Sequence, residues 1–180
     1  MALRLEELNE ATREFMLAEF EREEMGTPYR SPSMSSSGRT AWPGIMRVAI
    51  TEGDDAQLQR SISPSSLWLV EEPYVREGVQ RMRKVNVAQR SEQLATSEFN
   101  TWYVRGLTAK LMEEGVEWCQ VYRAAPAKYE IGECAMHEGK QVKVSEVYEG
   151  HRRRYWPEPG DARAFSIPFQ PGCHHSIRRL

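Results

Sequence analysis

Long apolar runs are missing from this sequence. No stretch approaches the roughly 20 apolar residues that a membrane helix needs, and the opening Met1-Ala-Leu-Arg-Leu-Glu-Glu7 lacks the apolar h-region of a signal peptide. A soluble protein that makes no membrane contact and stays where it is made is expected. Cysteine is scarce and odd in number, with only Cys119, Cys134 and Cys173, so reduced thiols in a cytoplasm are expected in place of a disulfide framework. Catalytic signatures are missing too. There is no Gly-x-Ser-x-Gly elbow, no phosphate-binding Gly-rich loop with Lys, no His-Glu-x-x-His helix and no dinucleotide fingerprint. His137-Glu138 and the thiols stand at no spacing that calls for acid–base or nucleophilic work, and the reading is non-enzymatic. A large charge excess is absent: the net charge of -2 argues against a generally basic nucleic-acid coat. There is no internal repeat.

What is present is one domain's worth of ordinary globular composition. The 180 residues are 40% hydrophobic and 28% charged, and a mean hydropathy of -0.64 leaves room for polar loops or arms. Charge is distributed unevenly. Residues 1–25 hold eight Glu against three Arg, while residues 150–180 hold six Arg against Glu158 and Asp161. An acidic face of one copy can therefore meet a basic face of the next. Solvated faces are the plainer reading.

Hydrophobic spacing predicts an amphipathic helix from Leu3 to Met25, with Leu5, Leu8, Ala11 or Thr12, Phe15 and Ala18 on one stripe, ended by Gly26 and Pro28. A Ser/Pro connector follows to Gly38, then a helix near Thr40 to Glu52 with Pro43 in its first turn. Gly53 closes that helix, and Asp54 caps a short third one over Asp55 to Ile62, stopped by Pro64. Leu67 to Val70 reads as a strand, and a basic stretch from Arg76 to Arg90, with Arg81, Arg83 and Lys84, holds a second strand-like alternation at Val85-Asn-Val87. The central helix is expected from Ser91 to Gly115, with Phe99, Trp102, Tyr103, Gly106, Leu107 and Leu111 on its stripe. Gly106 costs about 1 kcal/mol against Ala inside a helix, which points to a close approach there. Val116 to Tyr122 and Lys140 to Tyr148 alternate and are expected to pair antiparallel. The Pro-rich remainder is expected to be irregular, with a short strand near Ala164–Ile167. The fold class is α+β: a helical N-terminal half, a long central helix, a small antiparallel sheet and an irregular tail. Residues 1–26 form a helix or arm, and 27–180 a single domain with its tail at 150–180.

Three groups of residues invite a functional reading. The first is an interface set, comprising Leu5, Leu8 and Phe15 of the arm together with Trp156, Arg152, Arg153, Arg154, Arg178 and Arg179 of the tail, since aromatic and Arg side chains are common interface anchors. Most of the other Trp residues read as core. The second is Arg152, Arg153, Arg154, Tyr155 and Trp156, where guanidinium groups interleaved with rings suit phosphate contact and base stacking. The third is Cys134, His137, Cys173 and His175, four donors able to clamp a zinc ion tetrahedrally and so order the tail. Neither half has the Cys-x2-Cys pattern, and ordinary buried or solvent-facing side chains are the alternative. No cofactor is otherwise called for.

The segment Glu98-Phe-Asn-Thr-Trp-Tyr-Val-Arg-Gly-Leu107, with Glu113-Glu-Gly-Val116 and Val121-Tyr-Arg-Ala124, resembles uncharacterised proteins of tailed-phage and prophage structural (head) gene modules. Arg30-Ser-Pro32, Gly38-Arg39, Trp42-Pro43 and Gly53-Asp-Asp55 carry the same resemblance. The Cys134–His137 and Cys173–His175 segments look faintly like the Cys-rich ends of phage head-morphogenesis proteins, without all of their cysteines. The resemblance implies a bacteriophage virion component assembled in the host cytoplasm: a capsid-associated, head–tail connecting or decorating protein. Its partners would be itself and other virion proteins such as capsid or portal. A small DNA- or RNA-binding protein is the alternative, and a zinc-clamped module or enzyme the third.

Overall fold

Asn9 sets the start of the first helix. Its side chain accepts the Thr12 amide at 3.0 Å, so α1 spans Glu10–Glu24 and the chain ahead of it is not helical. The computed structural model describes residues 2–126, 136–154, 160–161, 163–169 and 173–180. The expected helix from Leu3 is thus shorter. Leu3 to Glu7 form a strap, with the Arg4 amide donating to the Ala124 carbonyl (2.7 Å) and the Glu6 and Glu7 amides to the hydroxyls of Tyr122 and Tyr103 (3.1 Å each). The buried stripe of α1 is Thr12, Met16, Glu19 and Phe20. Glu19 sits inside because Arg105 pairs with it at 2.7 Å, and a charge on the inward face is invisible to hydrophobic periodicity.

α2 (Ser36–Glu52) is capped by Ser35, so it begins earlier than expected and Pro43 lies in its interior. The ring removes the N–H that would bond the Arg39 carbonyl, and burial of Trp42, Met46, Ala49 and Ile50 offsets that loss. Asp54 caps α3 (Asp55–Ser61) through the Gln57 amide, as expected. The expected strand at Leu67–Val70 is instead a short 3-10 turn, Ser65–Leu67, and a single bridge from Trp68 to Met34. Val85 is buried, but Asn86 caps the next helix, so no strand forms there either.

Between these lies an antiparallel hairpin that periodicity missed, β1 (Glu71–Arg76) and β2 (Val79–Lys84). Glu77 and Gly78 turn it with φ of 55° and 75°. Its alternation does not read as a half-buried strand, because almost every side chain faces water.

α4 (Val87–Glu113) is the central helix, four residues longer at its start than expected and stopped by Gly115 at φ 72°. Its stripe of Phe99, Trp102, Tyr103, Leu107 and Leu111 is buried. A three-stranded antiparallel sheet, in the order β4 (Gln141–Lys143), β3 (Trp118–Arg123), β5 (His175–Arg179), packs beside it. β3 pairs with β4 as the alternation predicts, but residues 144–153 form a helix, α5 (Val144–Arg153). Val144, Val147, Gly150 and His151 are its buried face, a helical spacing that begins where the strand pattern loses phase. The tail strand is β5, not Ala164–Ile167. His175, Arg178 and Arg179 made it look like a polar end.

α1 crosses α4 at Gly106, where a Cβ would stand 2.5 Å from the backbone nitrogen of Met16. The close approach expected from this glycine is therefore real, and Met16 and Phe20 are fully buried beside it. Gly106→Ala should cost about 1–3 kcal/mol by overpacking. Gly44→Ala, exposed in α2 with nothing within 4 Å of the new methyl, should gain about 0.5–1 kcal/mol. Urea unfolding of the two variants measures both signs.

Candidate functional site

Three places concentrate chemistry. The first joins α1, α4 and α5. Arg105 donates to Glu19 (2.7 Å) and Glu23 (3.1 Å), and Arg152 to Glu23 (3.1 Å) and Glu98 (3.2 Å). Tyr148 donates to Glu19 at 2.9 Å and accepts from Arg22 at 2.8 Å. The guanidinium of Arg152 lies over the Trp102 ring at 4.9 Å. Burial disfavours the Arg152 charge, but Glu98 and Glu23 outweigh it and raise its pKa. Acidic first helix and basic α5 thus meet within one chain, largely as neutralised pairs.

This placement bears on the interface and nucleic-acid sets. Arg152 is held inward by two carboxylates, Arg153 pairs with Asp161 at 3.3 Å, and Arg154 stacks 3.8 Å over Phe169. Arg178 bonds Glu6 and Gln120, and Arg179 bonds Glu114 at 2.8 Å. Leu5 and Leu8 pack partly buried on the core, and Phe15 is half-buried. Tyr155 and Trp156 lie outside the described residues.

The second place is the hairpin. Its base is pinned by Glu72, which accepts from Ser33 Oγ (2.6 Å), Arg83 Nε (2.8 Å) and the Arg90 guanidinium. Burial pushes this carboxyl up, but the bonds from Arg90, Ser33 and Arg83 outweigh it and bring its pKa down to about 2. Register sorts the rest into two faces, since cross-strand partners share a side. Pro73 faces Met82 and Val75 faces Gln80 on one, while Tyr74 faces Arg81 and Arg76 faces Val79 on the other, beside Arg83. Val75 is 72% exposed and Met82 55%.

The third place is the end of the β3–β5 ladder. Cys173 Sγ stands 3.6 Å from His175 Nδ1 and accepts the His175 amide at 3.5 Å. His175 Nε2 is 3.2 Å from Glu138, which Arg123 anchors at 2.9 Å. The hydrogen bond to Cys173 raises the His175 pKa against its burial, with Glu138 adding to the rise. The two tail residues of the zinc quartet are thus together, and His137 is close by with its ring edge-on to Phe165 at 5.2 Å. Cys134 lies outside the described residues. Among the described residues no three Cys, His, Asp or Glu side chains stand grouped for a metal ion. Cys119 is remote in character: burial and the nearby Glu7 charge push its thiol up to about 12, which leaves it protonated and inert.

The hairpin and the Glu138 contact are the features that sequence reasoning missed. Gly78 after Glu77 was the available signal for the turn. No helix among the described residues is long and apolar enough to cross a membrane. No protein-family model, no curated protein and no solved structure matches the chain.

Removing Arg152 takes the guanidinium from buried Glu98 and leaves Glu23 to Arg105 alone, so Arg152→Ala should cost about 3–5 kcal/mol, read from urea midpoints. His151 is buried in α5 and its pKa is well below 6.5, first through burial and then through Arg152 and Arg105. The unfolded state alone then binds that proton, so stability should fall as pH drops below 6.5. Glu72 adds a second loss between pH 4.5 and about 2. Melting curves of His151→Asn and Glu72→Gln should each lose one of these two slopes.

Proposed function

We propose that this protein is a non-enzymatic assembly component of a tailed-phage particle, working through contacts between copies and with a capsid or portal surface. The resemblance of the Glu98–Leu107 segment to phage structural-module proteins supplies the setting. The observation that carries the reading is the hairpin. A two-stranded ribbon is marginal in water by itself, yet this one presents Pro73, Val75 and Met82 on one exposed face, with Val70 at its foot 79% exposed. Among the described residues no further strand pairs with either edge, which suits strand addition. Pinning at Glu72 holds it out from the body, as a contact element needs.

The occupant is a second copy. Lys84, on the same side of the ribbon as Pro73 and Met82, is exposed, and so are Glu10 and Glu14 on the outer face of α1, so opposite charges can set the register of an apolar contact. The proposed contact is thus between the ribbon of one copy and the outer face of α1 in the next. One observation favours a second reading: Arg76, Arg81 and Arg83 flank Tyr74, with Arg83 at 5.4 Å from its ring, a face suited to phosphate contact in a DNA groove.

Native mass spectrometry across protein concentration separates the two. A fixed multimer that Val75→Asp with Met82→Asp converts to monomer, with an unchanged melting temperature, is the expected result. A chain that stays monomeric at every concentration, or a variant that assembles like the parent, would refute the assembly reading. Salt-sensitive DNA binding lost in Arg76→Ala with Arg81→Ala would move the assignment to the second.

A further inference from the structure

His151 lies on the inward face of α5 with Val144, Val147 and Gly150, and neither of its ring nitrogens has a hydrogen-bond partner among the described residues. A neutral imidazole can be held this way, but an imidazolium in a dry interior needs a counter-charge. The charges that bear on it are positive, Arg152 from its own helix and Arg105 from α4. The nearby carboxylates are turned onto those guanidinium groups, Glu98 of α4 onto Arg152 and Glu19 of α1 onto Arg105, with Glu23 shared by both. Tyr148 and Arg22 complete the Glu19 network, and Arg30 pairs with Glu24. Glu146 and Glu149 are exposed on the outer face of α5, and Lys143 of β4 turns onto Trp118 at 5.9 Å. From the tail segment, Asp161 pairs with Arg153 and Arg163 is exposed.

α5 carries that segment with it. Gly150 lies against the Phe165 backbone, Ser166 Oγ donates to the His151 carbonyl at 3.3 Å, and Arg154 donates to the Ala164 carbonyl at 3.1 Å. The strand beyond is fastened independently. β5 pairs with β3, and its outer edge is held by Asn100 Nδ2 on the His175 carbonyl (2.8 Å) and by the Tyr103 hydroxyl on the Ile177 carbonyl (3.4 Å). Histidines at the two places respond to acid with opposite sign. The bond to Cys173, with help from Glu138, raises the His175 pKa, so a proton there strengthens the end of β5 below pH 6.5. Burial, then Lys140, His175 and Arg154, lowers the pKa of His137, whose ring stands edge-on to Phe165 at 5.2 Å, so its charging loosens the same segment as that of His151.

We propose that His151 is the trigger of a local acid switch: its protonation releases α5 with residues 163–169 from α4, while the α1–α4 body and the β3–β5 ladder stay folded. Release puts the new charge in water and separates it from Arg105. Arg152 leaves with the helix and uncovers the Trp102 ring, over which it lies at 4.9 Å. Glu23 keeps Arg105. Glu98, already raised by burial against the pull of Arg152, takes a proton from solvent once that partner is gone, so two proton uptakes drive one opening.

Hydrogen exchange of the full chain at one low protein concentration, read by mass spectrometry at pH 7.5 and 5.5 with each rate divided by its intrinsic value, tests this. Protection of 144–153 and 163–169 should fall together by at least about tenfold, the factor for one proton taken up a pH unit below an unfolded-state value of 6.5. Protection of 99–111 in α4 and of β3 should stay higher at both pH values. His151→Leu, whose apolar side chain needs no partner, should keep the fold and lose most of the pH dependence of 144–153. Protection of 144–153 that does not change with pH would overturn the proposal. So would α5 and α4 sharing one protection factor at pH 5.5, which is global unfolding, or an undiminished fall in folded His151→Leu. The parent chain decides the first two outcomes even if the variant does not fold, and none depends on whether copies meet through the ribbon.

Discussion

The contact on which the other elements depend is the crossing of two backbones at Gly106. With no side chain there, α1 lies so close to α4 that Met16 occupies the place of a Cβ. That proximity brings Glu19 and Glu23 within reach of Arg105, and α5 then adds Arg152 from the far side. A wider crossing would leave four charged groups in the interior with poor partners, which costs several kcal/mol per ion. Close packing and ion pairing are therefore one constraint. Gly150 repeats the device at smaller scale, seating α5 against the Phe165 backbone.

A body fixed in this way leaves its reactive-looking residues in two separate settings. Arg152 of α5 is bound by carboxylates from α1 and α4, and Arg153 by Asp161, so part of the charge asymmetry along the chain is resolved inside the molecule. The ribbon is the opposite case, since its basic and apolar faces have little to pack against within the chain. Glu72 links the settings, because its bonds to Ser33, Arg83 and Arg90 attach the ribbon to the body. A held but uncovered element of this kind is what contact between copies requires.

How much of this was legible in the sequence follows from what hydrophobic spacing can see. α4, the short α3 with its Asp54 cap, the pairing of β3 with β4 and the close approach at Gly106 all announce themselves by apolar period, caps or an unexpected glycine. The phase of α1 is obscured because its inward face carries Glu19, the start of α5 continues the Val142/Val144 alternation and so reads as strand as far as Tyr148, and β5 is hidden by its arginines. The ribbon has no buried face and so no period to find. Of the Cys/His site, Cys173 and His175 were legible from strand alternation, which puts residues two apart on one side. The part of Glu138 was not, since it depends on the register that brings β3 between β4 and β5.

We propose that the ribbon, attached to the body through Glu72, is the surface by which copies meet. Hydrogen exchange of the full chain, followed by mass spectrometry at low and high protein concentration, tests it most directly. Amides of 71–84 should gain protection as concentration rises, while those of α4 stay equally protected throughout. Exchange in the ribbon that is indifferent to concentration, with new protection appearing on another surface, would contradict the account.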